Sequence, residues 1–221
     1  MDIKIQGIDK SYKKPILNGV SFDISGGECI GLLGANGSGK STLLNILAGV
    51  IRCDSGGFYL DGENLFKNTS LRERAVAFVP QAPPLFDELT ALDNLKMWYS
   101  GEELKNQLDN GVLKALGING FLKTPVHKMS GGMKKRLAIG CALYNKPALL
   151  LMDEPSAALD LLCRQSICDY ICNFKKTGGA IIIATHDVEE MKLCDRCYII
   201  KNGSLTEYVN DGDVKRLVAS L

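Results

Sequence analysis

The chain has 221 residues, 46% of them hydrophobic and 23% charged, and a formal net charge of +1 at pH 7. That length suits one large domain or two small lobes around an ample core, with the balance of a soluble globular protein. The near-zero charge gives no electrostatic case for nucleic acid or an anionic membrane as main partner, and no apolar run approaches the roughly 18 residues of a spanning helix.

The opening Met1-Asp2-Ile3-Lys4-Ile5 holds no apolar signal core, so a cytoplasmic protein is expected. Residues 2–8 alternate polar and apolar side chains, as a strand with one solvated face does. A polar turn follows over residues 9–15, and Val20-Ser21-Phe22-Asp23-Ile24 alternates again before turning at Ser25-Gly26-Gly27. Gly57-Phe58-Tyr59-Leu60 adds another short strand, so the opening reads as antiparallel. Tyr12 can stack on the face of an adenine, as aromatic rings hold bases without reading them. A tyrosine half-buried beside a turn explains its position equally well.

Between these strands lies Gly34-Ala35-Asn36-Gly37-Ser38-Gly39-Lys40-Ser41, entered from the apolar run Ile30-Gly31-Leu32-Leu33 and left through Thr42 and a helix ending at Ala48 before Gly49. This is G-x-x-x-x-G-K-S in its strand–loop–helix context. Glycines let the backbone turn tightly and aim several N–H groups at one anion, and the new helix adds its unpaired amides. Lys40 would reach the β- and γ-phosphates, with the Ser41 hydroxyl on Mg²⁺.

Ala75-Val76-Ala77-Phe78-Val79 is a core strand stopped by Pro80, with Gln81 immediately after. Gln81 therefore stands at the carboxyl end of a strand, where open α/β sheets present ligand contacts, and its amide oxygen can join a Mg²⁺ shell or orient water. On these residues alone a loop glutamine bonded to backbone is the plainer reading. From Thr90 the pattern turns helical. Thr90-Ala91-Leu92-Asp93 begins a capped helix through Leu95 and Trp98. Glu102 to Leu116 places Leu104, Leu108, Val112, Leu113 and Leu116 on one face of a helix. Ser130-Gly131-Gly132 caps a third helix from Met133 to Leu143, whose exposed amides can bind phosphate or be satisfied by a simple cap. These helices predict a lobe over about residues 83–145, inserted between 1–82 and 146–221 of a single domain.

Ala148 to Met152 is an uninterrupted apolar strand, which implies burial on both faces of a sheet, and it ends in Asp153-Glu154. Two adjacent acids there need a counter-charge, which Mg²⁺ would supply. Asp153 would hold the metal through water and Glu154 would polarise the attacking water. Capping of the helix after Pro155 accounts for one acid more naturally than for both. Ala180 to Ala184 repeats the design with His186 at its end; a lone histidine there is a weak signal, although it can donate to a γ-phosphate. Cys197 to Lys201, a hairpin turn at Asn202-Gly203 and a short helix over 213–221 complete the chain. Zinc would require the Cys163–Cys172 segment and the Cys194-Asp195-Arg196-Cys197 segment to converge, so the eight cysteines read better as small reduced hydrophobes.

Taken together, Gly34–Thr42, Gln81, Met129-Ser130-Gly131-Gly132-Met133, Leu149–Pro155, Ala157-Ala158-Leu159-Asp160 and His186 resemble, in order and separation, the nucleotide-binding subunit of ATP-binding cassette (ABC) transporters. The resemblance implies an α/β fold: an ABC-type P-loop NTPase domain with a mixed, largely parallel core sheet, an antiparallel β lobe and an inserted helical lobe. It implies ATP and Mg²⁺ as ligands, and it makes Tyr12 the adenine-stacking aromatic, Gln81 the lid glutamine and His186 the switch histidine. Ser130, Gly131 and Gly132 would serve the ATP held by an opposite subunit, and Asp160 would belong to the loop linking the two sites. A homodimer, or a heterodimer with another ABC ATPase subunit, would close on ATP and drive a separate transmembrane subunit, leaving this chain peripheral to the cytoplasmic face of the membrane.

Met129 and Met133 depart from the family's leucine and glutamine, and Met133 lacks an amide that can approach ribose. Leu85-Phe86-Asp87-Glu88-Leu89-Thr90 together with Met133 leans toward exporter-type cassettes. A soluble ABC ATPase working on ribosomes, nucleic acid or cluster assembly is the alternative, although no basic extension or second cassette points to it, and no nucleic acid is expected. A phosphate-loop kinase would leave Ser130-Gly131-Gly132 and Asp160 unexplained.

Overall fold

A computed structural model describes residues 1–157 and 159–209 together with Leu217 and Ala219; Ala158 and, apart from those two positions, the helix expected over 213–221 lie outside the described residues. β1 (Asp2–Ser11) and β2 (Pro15–Ser25) form a long antiparallel hairpin. The expected turn over residues 9–15 shrinks to 12–14. β2 lies at the edge of its sheet, where a proline costs no ladder hydrogen bond, so Pro15 can pair with Ser11. Then come β3 (Cys29–Leu33), α1 (Lys40–Ala48), β4 (Ser55–Leu60), β5 (Glu63–Asn64), α2 (Thr69–Ala75) and β6 (Val76–Val79). The helices α3 (Ala91–Lys96), α4 (Gly101–Asp109), α5 (Val112–Ala115) and α6 (Gly131–Ala142) follow without an intervening strand. β7 (Leu149–Asp153), α7 (Leu161–Lys176), β8 (Ala180–Ala184), α8 (Val188–Met191), β9 (Arg196–Lys201) and β10 (Ser204–Tyr208) complete the chain.

Two sheets result. The antiparallel one runs β2-β1-β4-β5. The other runs β10-β9-β3-β8-β7-β6, parallel throughout except for the β9–β10 hairpin. α1 shares one core with both: Leu43, Leu44 and Leu47 cluster with Ile3, Ile5 and Phe22 of the antiparallel sheet and with Ile30, Leu149, Leu151 and Ile182 of the parallel one. The opposite face of the parallel sheet carries Leu150, Met152, Ile181 and Ile183 against α3, α6 and α7. Successive residues of β7 thus enter different cores, which is why the strand is apolar without a break. All five of its residues are buried.

The helix expected over residues 102–116 is broken at Asn110–Gly111. The apolar spacing continues across the break, but the Gln107 side chain folds back to accept the Val112 N–H at 3.0 Å. A Cβ at Gly111 would overlap that same amide. The helix expected after Pro155 begins only at Leu161, where Asp160 caps it by accepting the Cys163 N–H at 2.9 Å. Asp153 and Glu154 are therefore left without that capping task. The cysteines carry free thiols; burial pushes that of Cys141 up to about 12. Among the described residues no helix is long and apolar enough to cross a membrane.

Candidate functional site

The site grows from the carboxyl end of the parallel sheet. β3 runs into the phosphate loop, where Gly34 has φ 150° and a Cβ would lie 2.5 Å from the Ser38 Oγ and 2.7 Å from the Ile200 carbonyl oxygen. Gly39 has φ 113°, left-handed backbone that lets the chain wind directly into α1 with no side chain capping the helix. The first amides of α1 therefore keep their donor capacity. Lys40 is only 6% exposed, and its ammonium donates to the Gly34 and Ala35 carbonyls at 2.7 and 3.2 Å. Burial lowers its pKa, against the opposing fields of Glu154 and Asp153. Among the described residues the buried Ser38 hydroxyl has no partner. An uncapped helix, a lysine turned back on its own loop and an orphaned hydroxyl form a donor set that a polyphosphate would satisfy.

The acids sit where β7 ends. Asp153 is 5% exposed; Glu154 follows with φ 46°, and its N–H donates to the Ala184 carbonyl of β8 at 2.9 Å. Left-handed backbone is unfavourable for a residue with a Cβ, and here it turns the carboxylate out of the sheet. Both carboxylate oxygens are engaged: the Gln81 amide donates to Oε2 at 2.8 Å and the His186 Nδ1 lies 3.2 Å from Oε1. The ends of β6, β7 and β8 thus deliver one residue each to a single cluster. Ser41, Gln81 and Asp153 offer the hard oxygen donors that Mg²⁺ accepts.

A cleft of about 400 Å³ unites this cluster with Asn36, Gly37, Gly39, Lys40, Ser41 and Thr42. Tyr12 and Ile16 close one end, Tyr12 62% exposed with the Lys10 ammonium 5.4 Å from its ring centroid. An exposed ring beside a cation leaves one face open to a base. Ala35 and Ser38 line an adjoining hollow with Asn202 and Gly203.

The remaining candidates lie elsewhere. Ser130, Gly131, Gly132 and Asp160 do not line the cleft; they form a second assembly. Ser130 caps α6 by accepting the Met133 N–H at 3.2 Å. A Cβ at Gly132 would overlap the Cys163 sulfur, so α6 and α7 approach closely there and Asp160, the cap of α7, is carried alongside.

Two structural participants escaped the sequence reading. Lys135 on α6 is 5% exposed and donates to the Pro80 and Gln81 carbonyls. Its spacing from Gly132 and Ile139, three and four residues, marks it as inward-facing. Glu190 on α8, 2% exposed, accepts from the backbone and hydroxyl of Ser156 and ties the segment after His186 to the turn after Glu154. It lies four residues from His186, on a helix too short to give a periodic signal.

A phosphate loop feeding a parallel sheet, with a carboxylate clamped opposite it by groups from the neighbouring strands, defines a nucleotide-hydrolysing P-loop domain. The family model described as "ABC transporter" matches residues 17–157, well over half the chain. The linearmycin resistance ATP-binding protein of Bacillus subtilis is 37% identical over 211 residues, which cover 92% of this chain and 67% of that protein. The lantibiotic transport ATP-binding protein of Streptococcus pyogenes is 35% identical over 92% of this chain and 88% of its own length. The Nod factor export ATP-binding protein I of Rhizobium sp. is 36% identical over 91% of this chain and 68% of its own length. Among solved structures, an ATP-binding subunit of an ABC transporter superposes with a TM-score of 0.85 at 26% identity, covering 99% of this chain and 94% of the other. A dimeric ATP-binding cassette in a post-hydrolysis state with ADP and Pi gives 0.82 at 28% identity, covering 93% and 97%. The chain belongs to the ABC transporter family, as an ATP-hydrolysing cassette of that family.

Proposed function

We propose that the chain powers an exporter-type ABC transporter by hydrolysing Mg²⁺-ATP in a head-to-tail dimer peripheral to the cytoplasmic face of the membrane. The reading rests above all on Glu154, held from two sides by Gln81 and His186 across a cleft from the phosphate loop. Residues 1–82 and 146–221 act as the nucleotide-binding core, and about 83–145 as the helical lobe. Gly34 to Thr42 wrap the triphosphate, Lys40 leaves the Gly34 and Ala35 carbonyls for the β- and γ-phosphates, and Tyr12 stacks on adenine. Ser41, Gln81 and, through water, Asp153 would hold Mg²⁺, which would supply positive charge to the phosphate oxygens. Glu154 orients and deprotonates the attacking water, and His186 donates to the γ-phosphate.

A second copy supplies what the cleft lacks. Ser130, Gly131, Gly132 and Asp160 stand outside the cleft of their own chain, and Leu161 and Leu162 beside them are each 81% exposed, an apolar edge suited to another protomer. The partner is an identical chain or a homologous ATPase subunit. The membrane subunit is assigned to the groove of about 410 Å³ beside β6, lined by Pro80, Phe86, Trp98 and Tyr144, with Phe86 57% and Trp98 50% exposed. A relative named for Nod factor export supports the direction, and one named for lantibiotic transport supports the coupling to transport.

The test is purification of the tagged chain from a detergent extract of its own cells, with ATP hydrolysis measured before and after the partner is stripped. A polytopic membrane protein that stimulates hydrolysis is the expected result, and its loss with Trp98→Glu assigns the groove. Ribosomes or nucleic acid in its place would overturn the transport reading.

A further inference from the structure

Lysine is seldom buried without a carboxylate against it. Lys135 is 5% exposed, and its hydrogen-bonding partners are two backbone carbonyls, those of Pro80 at 3.1 Å and Gln81 at 3.3 Å. Among the described residues no carboxylate closes an ion pair with it; Asp153, Glu190 and Glu154 act only as a more distant field. A methionine would fill the same volume without desolvating a charge, so packing alone does not account for the ammonium.

The two residues whose carbonyls converge on Lys135 border different spaces. Pro80 lines the groove beside β6, whereas Gln81 lines the nucleotide cleft and donates through its side chain to Glu154 at 2.8 Å. Lys135 itself is anchored one turn into α6, the helix that Ser130 begins. A single ammonium therefore fastens α6 to the chain segment that joins groove and cleft. Pro80 cannot donate a backbone hydrogen bond, so the Lys135 ammonium is a tie the segment's own backbone cannot replace at that residue.

We propose that Lys135 is a positioning residue for hydrolysis: by clamping the Pro80 and Gln81 carbonyls to α6 it holds the Gln81 amide on Glu154, and it moves that amide when α6 or the groove shifts. The proposal rests on the catalytic reading of Glu154 and Gln81 given above. Lys135 touches neither nucleotide nor water in this scheme and acts through Gln81.

The experiment is a double-mutant cycle on the purified full chain with Mg²⁺-ATP, combining Lys135→Met with Gln81→Ala. Lys135→Met is expected to lower kcat roughly tenfold or more while KM for ATP stays within about twofold, because positioning rather than binding is lost. The double variant is expected to be no slower than Gln81→Ala alone, and Lys135→Arg, which keeps charge and donors, should recover most of the rate. If Lys135→Met does not fold, Lys135→Gln, a neutral donor on a shorter arm, enters the same cycle. An unchanged kcat, or losses that multiply with those of Gln81→Ala, overturns the clamp while leaving the catalytic reading intact. A silent Gln81→Ala overturns both, and an active Gln81 with an independent Lys135 overturns only the clamp.

Discussion

Two helices start near the chemistry, and their first turns are built differently. α1 follows Gly39 in left-handed backbone and has no side chain over its amides; α6 follows Ser130 in extended backbone, and the serine hydroxyl accepts the Met133 N–H. Each carries a buried lysine bonded to two backbone carbonyls, yet Lys40 turns onto its own loop and Lys135 onto a different strand end. An uncapped helix whose lysine is held by its own loop offers, within one chain, the donors that an anion would take. A helix whose serine already serves its own amide has less to give, and it can add to a phosphate only from outside, with a hydroxyl and a glycine-thin surface. On the proposed reading the difference separates binding, which one copy would do, from turnover, which would need a second.

Changes to the two assemblies should therefore fail in different ways. The largest effect belongs to Glu154→Gln, which keeps both hydrogen-bonding contacts in reach but removes the base. Hydrolysis is expected to fall on the order of a thousandfold with ATP still bound. The ATP-loaded dimer should then persist through gel filtration. Full turnover would remove Glu154 from the chemistry. Next is Lys40→Ala: loss of a charge-assisted contact should weaken ATP binding roughly a hundredfold, measured by calorimetry on the monomer. The phosphate loop fails as the binding element if affinity is unchanged.

Ser130 separates a cap from a recognition group. Ser130→Ala removes the cap and should cost about 1 kcal/mol of stability, read from thermal unfolding. Ser130→Asp keeps a good cap and suits the positive end of α6, so the monomer should be as stable as the parent and bind ATP as well. It also sets a negative charge toward a partner's triphosphate. ATP-driven dimerisation and hydrolysis should drop about tenfold or more, by Coulombic repulsion in a closing, poorly solvated interface. If Ser130→Asp turns over normally, α6 does not face a phosphate.

The same contrast explains what could be read from the residues in order. Gly34 to Ser41 and Asp153-Glu154 stood out because each lies at the end of an apolar strand, and strands of a doubly covered parallel sheet announce themselves by composition; Gln81 lies at such an end too, but only the resemblance raised it above a backbone-bonded loop residue. α2 was not legible: in Thr69–Ala75 only Ala75 is fully buried, and the single pair Leu71 and Ala75 is too little to show a helical period. The break at Gly111 was not, because it depends on Gln107 folding back over space that a side chain would need. Lys135 stands in the basic run Lys134-Lys135-Arg136, and only the fold supplies the two carbonyls that make it an interior group. Charge patterns along a chain report which residue types are present, not which one a strand end from another lobe will meet.

The smallest effect tests the electrostatics of Lys40 itself. Burial lowers its pKa from the ordinary 10.5, with Glu154 and Asp153 pulling it partly back. A triphosphate brings opposite charge to the ammonium and raises that pKa again. At alkaline pH, between the lowered value and the nucleotide-bound one, the free protein has lost part of a proton that the complex holds. Binding should therefore take up a fraction of a proton, and ATP affinity should fall as pH rises through the lowered value. Calorimetry in buffers of different ionisation enthalpy measures the uptake directly. Lys40→Arg, which stays charged over this range, should abolish it, while Lys135→Arg should leave it in place because Lys135 meets carbonyls rather than phosphate. Uptake that survives Lys40→Arg would mean that the proton is held by another group, and that Lys40 is charged in its loop before any nucleotide arrives.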